Sequence, residues 1–214
     1  MGAMDIQGLR REYADHGLDA HELAPDPVDQ FRFWFKQACD AGIREPNALV
    51  LATAGGDGSP ASRVVLLKAF DARGFTFFTN LGSDKALDLV ANPRASITFP
   101  WVDLERQVHV RGRVEPVSAE ETATYFRSRP RNSQLGAWAS RQSRPIASRA
   151  DLERAFAEVQ ARFPEGEIPV PENWGGLRLI PEALEFWQGR PSRLHDRFLY
   201  ERSAGGWSVK RLQP

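Results

Sequence analysis

At Ala48 the spacing of apolar residues shortens from a helical repeat to the two-residue alternation of strands, and it stays short for much of the remaining chain. ALVLATA (48–54), the turn GGDGS and SRVVLLKAF (62–70) predict a β-hairpin with a glycine-rich connection. A turn over 71–74 leads into FTFFTN, and ASITFPW and RQVHVRGRVEPV supply two more strands. LRLI, the EFWQG region, RFLYER and WSVKRLQP close the chain, with the tetrad 203–206 turning between the last two. Seven or so short strands at this spacing predict a mainly β, antiparallel α+β fold that curls into a barrel or sandwich. A doubly wound fold would need strand and helix to alternate throughout, and they do not.

Helices are inserted between the strands. Pro27 opens one at a position where a missing N–H costs little, and Val28, Phe31, Phe35, Ala38 and Gly42 carry its apolar repeat. Cys39 is read as a small buried hydrophobe on that helix. Ser83 caps a short helix to about Val90. Ser118 and Glu121 form a capping box for another that ends near Arg129. PRNSQLGAWASRQS reads as a polar loop, followed by a helix over 150–162. Residues 1–25 are expected to be a flexible N-terminal segment and 26–214 a single domain.

Net charge is zero, from 28 basic and 28 acidic side chains, which argues against nucleic acid as a partner but leaves room for a local basic pocket. One cysteine excludes an internal disulfide framework and makes a cytoplasmic home the expectation. No apolar run is long enough for a membrane span, and no leader pattern is read.

His16, His21, His109 and His195 show no metal-ligand spacing, so no metal is expected. No GxSxG elbow or GxxxxGK[ST] loop is present. What remains is cations and polar groups at the ends of apolar strands. Arg63 and Lys68 bracket VVLL, though such residues also snorkel from strand edges. Lys85 lies in the first turn of a helix, where a cation opposes the dipole unless an anion sits there; otherwise it faces water. Gln107 lies on a strand, as a probe of a polar ring or as a surface residue. Tyr125 and Arg129 share a helix face, and Ser133 follows in the loop or caps a helix. In EFWQGRPSRLHDRFLY (185–200), an extended chain would put Arg193, His195 and Arg197 on one face and Leu194 on the other, with Trp187 upstream. A solvated edge strand would carry the same charges. Together these cations, with aromatics and no acid/base engine, suit two anionic aromatic molecules that bring their own chemistry.

SRVVLLK, FFTNLGSDK, FPWVDLERQV, YFRSRPRNSQLGAWASRQS, EFWQG and RLHDRFLY resemble the pyridoxine/pyridoxamine 5′-phosphate oxidase family, from LRREY at 9–13 to the closing RLQP. The resemblance implies an FMN-binding split β-barrel and a homodimer with flavin at the subunit interface. It implies that Arg63 and Lys85 hold the FMN phosphate, with Gln142 and Ser143 contributed by the partner subunit. Val64, Val65, Leu66, Leu67 and Lys68, with the backbone of Phe78 and Thr79, would line the flavin. Gln107, Trp187 and Arg197 would contact its ring. Lys68, Tyr125, Arg129 and Ser133 would grip the phosphate of the B6 vitamer. Arg193, Leu194 and His195 would meet the substrate ring, Arg193 and His195 as the catalytic pair, and Arg10 with Tyr13 would form a mobile cover.

The implied reaction is oxidation of pyridoxamine or pyridoxine 5′-phosphate to pyridoxal 5′-phosphate by molecular oxygen, with release of hydrogen peroxide. A phenazine-type FMN oxidase and a non-catalytic carrier of FMN or pyridoxal phosphate are the alternatives. Two positions depart from the family pattern: Asp84 stands where arginine is common, and Phe78 where tyrosine is. An acid beside the phosphate site is expected to weaken FMN retention. Arg63 and Lys68 are five apart, so a regular strand would aim them at opposite faces. Either the strand bends or bulges, or the two cations serve different ligands.

Overall fold

A computed structural model describes residues 12–14 and 16–214, so Arg10 lies outside the described residues. Among these, nine strands join in one sheet with five α-helices between them. In chain order they are α1 (Pro27–Asp40), β1 (Ala48–Ala54), β2 (Pro60–Leu66), β3 (Ala69–Asp71), β4 (Gly74–Asn80), α2 (Asp84–Ala91), β5 (Arg94–Trp101) and β6 (Arg106–Pro116). Then come α3 (Ala119–Ser128), α4 (Arg131–Ala139), α5 (Arg149–Arg162), β7 (Trp174–Gln188), β8 (Asp196–Ser203) and β9 (Gly206–Leu212). The strand order is β2-β1-β5-β6-β7-β4-β3, with β8 also on β7 and β9 on β8. The mainly β, antiparallel expectation holds.

The chain divides into two compact units, and β5, β6 and β7 each give residues to both. The first unit holds the chain to Pro46, Thr98–Val110 and Ala183–Pro214. Asp26 caps α1 by accepting from the Val28 amide at 2.7 Å, and Pro27 follows at the first helical position. The buried face is Val28, Phe31, Trp34 and Ala38. Phe31 lies 4.8 Å from Phe99 between ring centroids, and Trp34 meets Phe186 edge-on at 5.3 Å. Removing the fully buried Phe31 ring would cost about 3–5 kcal/mol. Two readings of this helix are corrected. Cys39 is exposed, because it sits away from the 28/31/34/38 stripe. Gly42 lies beyond the helix, with the positive φ of 71° that suits glycine just past a helix end.

The second unit holds Asn47–Ile97 and Arg111–Glu182. β1 buries alternate residues, and β2 pairs with it so that Leu51 faces Arg63 and Val50 faces Val64. The predicted strand 62–70 is in fact two. The Leu67 amide donates to Asn47 O at 2.8 Å, whereas the next amide, Lys68, donates to Thr76 O at 2.9 Å. Consecutive residues thus change partner from β1's side to β4, which breaks the two-residue parity between Arg63 and Lys68. LRLI and EFWQG, read as separate strands, are one 15-residue strand, β7. Its buried positions switch from 177, 179, 181 and 183 to 184, 186 and 188 between Ala183 and Leu184. Gly112 of β6 lies close enough to β7 that a Cβ would fall 1.9 Å from Ile180 O, so only glycine fits. The segment read as a polar loop contains α4, and Ser133 lies in its first turn.

Candidate active site

The second unit encloses a cavity of about 890 Å³. Its lining brings together ten predicted residues: Arg63, Val64, Val65 and Leu66 from β2, Lys68 from the β2–β3 break, Phe78 and Thr79 from β4, Lys85 from α2, and Tyr125 and Arg129 from α3 and its end. Ser133, Gln142 and Ser143 complete the predicted set there. Leu67, assigned to the same wall, instead points into the core at 4% exposure.

Lys85 is 7% exposed, which replaces the alternative of a lysine facing water. Its Nζ donates to Thr79 Oγ1 at 3.2 Å, Ser83 Oγ at 3.1 Å and Gln142 Oε1 at 3.0 Å, all neutral acceptors. Burial pushes the ammonium pKa below its ordinary value; Arg63 lowers it further and Asp84 partly offsets this. Ser83 occupies the N-cap position but its hydroxyl does not cap. It donates to Asn80 O at 2.7 Å and accepts from Lys85 instead. Gln142, expected from a partner subunit, reaches Lys85 and Thr79 within one chain. The Ser143 hydroxyl likewise accepts from the Asp84 amide at 3.3 Å in the same chain. The turn after α4 brings both residues back onto the α2 N-terminus.

Arg63 is held by groups the sequence did not single out. Its Nη1 donates to Thr53 Oγ1 at 2.6 Å, and its Nη2 lies 3.6 Å from the Asp88 carboxylate. Thr53 in turn donates to Asp88 at 2.6 Å. Asp84, the residue expected to repel an anion, is paired with Arg144 at 2.5 Å. No spacing rule links 53 to 88 or 84 to 144, so neither pair had a sequence signal.

On the other side of the cavity, the Phe78 ring stacks on Tyr125 at 4.0 Å and on Trp174 at 5.4 Å. Its side chain is a spacer between aromatics. The Arg129 guanidinium lies 4.7 Å over the Trp174 ring. Its Nη1 is buried with no hydrogen-bond partner among the described residues, and burial lowers its pKa. A buried guanidinium nitrogen left unsatisfied is costly, and an anionic ligand would satisfy it.

The first unit carries the other predicted residues. The run 193–197 is not a strand: Pro191–Arg193 form a tight turn, Ser192 and Arg193 have φ of 57° and 65°, and β8 starts at Asp196. Gly189, Pro191 and this left-handed pair break the extended chain. The groups still cluster. The Trp187 and His195 rings lie 4.6 Å apart, Tyr13 meets them at 5.9 and 5.5 Å, and the Arg193 guanidinium lies 5.8 Å from the Tyr13 ring. Arg197 faces Trp187 across the β7–β8 ladder and donates to Glu185 at 2.7 Å. His195 Nδ1 accepts from the Arg190 amide at 3.1 Å, which leaves Nε2 as the N–H of the neutral ring. Burial and then Arg193 lower its pKa, against an opposing effect of Asp196, so the ring is neutral near pH 7. Gln107 and Leu194 are exposed. No group of three or more potential metal ligands occurs among the described residues, and no described helix is long and apolar enough to cross a membrane.

Residues 35–163 match the family model described as pyridoxamine 5′-phosphate oxidase, and residues 174–214 match the pyridoxine 5′-phosphate oxidase C-terminal dimerisation region. A pyridoxine/pyridoxamine 5′-phosphate oxidase from Rubrobacter xylanophilus is 55% identical over 98% of this chain and 97% of its own. One from Dichelobacter nodosus is 50% identical over 99% and 100%. Among solved structures, PhzG from Burkholderia lata, in complex with tetrahydrophenazine-1-carboxylic acid, superposes with a TM-score of 0.87 at 32% identity, covering 94% of this chain and 99% of its own. A pyridoxamine 5′-phosphate oxidase-related, FMN binding protein from Nostoc punctiforme gives a TM-score of 0.72 at 21% identity, covering 90% and 99%, a likeness of fold alone. The fold is the split β-barrel expected from the sequence.

Proposed function

The chain belongs to the pyridoxamine 5′-phosphate oxidase family, and on that premise we propose an FMN-dependent enzyme that oxidises pyridoxamine and pyridoxine 5′-phosphates to pyridoxal 5′-phosphate, with molecular oxygen as acceptor. One observation carries the reading: the cavity holds two cations, Lys85 and Arg129, with no carboxylate partner among the described residues. Lys85 is buried among neutral acceptors beside Arg63, and Arg129 has a buried nitrogen with no described partner near Lys68 and Tyr125. Two such cations in one cavity fit two phosphates, one of a flavin mononucleotide and one of a B6 vitamer.

Arg63, Lys85, Gln142 and Ser143 would hold the FMN phosphate; Val64, Val65, Leu66 and the 78–79 backbone would line its body. Lys68, Tyr125, Arg129 and Ser133 would hold the vitamer phosphate. Bound FMN supplies the two-electron acceptor and the onward reaction of those electrons with oxygen to hydrogen peroxide. Arg193 and His195 orient the substrate ring, with Trp187, Arg197 and Gln107 toward the flavin. A neutral His195 with its Nδ1 engaged offers an Nε2–H donor, which suits fixing a polar ring better than accepting a proton.

The match of 174–214 to a dimerisation region supports a homodimer, and the 67% exposure of the cavity-lining Val64 supports a wall that a second copy completes. A single, unpaired cysteine supports a cytoplasmic site of action. A phenazine-type oxidase is the competing reading, on the likeness to PhzG. The higher identity to the B6-phosphate oxidases, 50–55% against 32%, favours the first. The test is peroxide release from the FMN-loaded protein. Pyridoxamine 5′-phosphate should give peroxide and pyridoxal 5′-phosphate in equal amounts. Turnover of a reduced phenazine carboxylate alone would favour the competitor, and binding without peroxide would favour a carrier.

A further inference from the structure

Beside the Trp187–His195 cluster lies a buried carboxylate to which no role above is assigned. Glu105 is only 8% exposed, and it holds the left-handed conformation, φ 56° and ψ 35°, at the turn between β5 and β6. Such a conformation is uncommon for a non-glycine residue. The Glu105 Oε2 accepts from the Ala14 amide at 2.7 Å, across 91 positions of sequence. Its own carbonyl accepts from the Gly189 amide at 2.7 Å and the buried Gln188 Nε2 at 3.3 Å. The turn is therefore pinned to the end of β7, two residues past Trp187. The same place is shaped for the Tyr13 ring. A Cβ on Gly189 would come within 3.0 Å of Tyr13 Cγ and 3.1 Å of Glu105 Cβ, so the bare glycine leaves the room the ring occupies. Tyr13 then meets Trp187 and His195 in T-shaped contacts and turns its face toward Arg193.

We propose that Glu105 is a positioning residue that, with the gap left by Gly189, docks the 12–14 segment and so sets Tyr13 against His195 and Arg193. A backbone amide bound to a buried carboxylate is a charge-assisted bond, about twice as strong as a neutral one. It fixes the segment beside Tyr13 and leaves the tyrosine hydroxyl for the ligand. The inference rests on the oxidase reading and deepens it: Glu105 acts on the vitamer through Tyr13 and has no part in FMN binding.

The test compares Glu105→Ala, Glu105→Gln and Gly189→Ala with the unmodified FMN-loaded enzyme. Steady-state KM and kcat for pyridoxamine 5′-phosphate, the FMN Kd, and hydrogen exchange at the Ala14 amide are read for each. Glu105→Ala is expected to raise KM by about tenfold, the loss of one charge-assisted hydrogen bond, with FMN Kd within about twofold of the parent. Ala14 exchange should become faster in parallel. Glu105→Gln keeps an acceptor oxygen at the same reach and should return KM to within about threefold of the parent. Gly189→Ala leaves the carboxylate in place but crowds the ring, and should raise KM with no loss of FMN. A general loss of packing would weaken FMN as well and would not be rescued by glutamine. Parental KM and Ala14 exchange in Glu105→Ala would overturn the proposal, as would equal damage from Ala and Gln. An unmodified enzyme that gives no peroxide would instead overturn the oxidase reading, while Ala14 exchange would still test the docking.

Discussion

Replacing Lys85 by methionine should move two quantities in opposite directions. The ammonium is 7% exposed and bonded to three neutral oxygens, with Arg63 adding repulsion. In the FMN-free protein this charge is a desolvated cation whose burial opposes folding, which is why its pKa is depressed. Methionine has similar length and no charge. It strands neither hydroxyl proton, because Ser83 still donates to Asn80 O at 2.7 Å and Thr79 to Gln142 Oε1 at 3.2 Å. FMN-free Lys85→Met should therefore melt at or above the parent. Its FMN Kd should rise roughly 10- to 150-fold, the loss of one charge-assisted hydrogen bond worth about 1.5–3 kcal/mol. Thermal melts of the FMN-free protein and quenching of flavin fluorescence on titration give the two numbers. The pH sign is fixed by the same shift. The folded pKa lies below the ordinary 10.5, so FMN affinity in the parent should fall as pH rises through that depressed value, before 10.5 is reached. A variant destabilised by more than about 2 kcal/mol without FMN, or one that binds FMN as the parent does, would refute the reasoning.

Three further outcomes are expected. Arg144→Ala leaves the Asp84 carboxylate without its counter-ion and should raise FMN Kd about three- to tenfold, less at high salt; adding Asp84→Asn should restore it, and a double variant as weak as the single one would contradict this. Arg193→Lys should lose most of kcat, because an ammonium does not reproduce the planar fork presented beside Tyr13; near-parental turnover would remove Arg193 from the substrate's face. The His195 ring should titrate below 6.5 when followed by NMR, since burial and Arg193 disfavour the cation; the folded state then binds fewer protons than the unfolded chain, so this group's contribution to stability is present above pH 6.5 and is lost as pH falls through the lower folded value. A midpoint above 6.5 would contradict the assignment.

Local pattern carried the secondary structure well where one rule applied. Pro27, the Ser118–Glu121 box and the alternation in 48–54 all appear as helix starts and a strand, because caps and periodicity act over a few residues. The cavity cations were legible for a related reason: a charge that ends an apolar strand is visible in one line of sequence. What the residues alone did not reveal were events set by distant partners. The change of ladder between Leu67 and Lys68 depends on Asn47 and Thr76, and it is what admits Arg63 and Lys68 to one cavity. The left-handed pair at 192–193 breaks a run that alternates like a strand. Family resemblance supplied the site roles, and the turn after α4, which brings Gln142 to Lys85 within one chain, had no signal in the sequence.

The central claim is that this cavity brings a flavin phosphate and a vitamer phosphate together for electron transfer. Its most direct measurement is an absorbance scan of the purified, FMN-loaded protein in the absence of air. Adding pyridoxamine 5′-phosphate should bleach the yellow flavin band, and admitting air should restore it as hydrogen peroxide forms. A band that stays yellow under saturating pyridoxamine 5′-phosphate and pyridoxine 5′-phosphate would contradict the account.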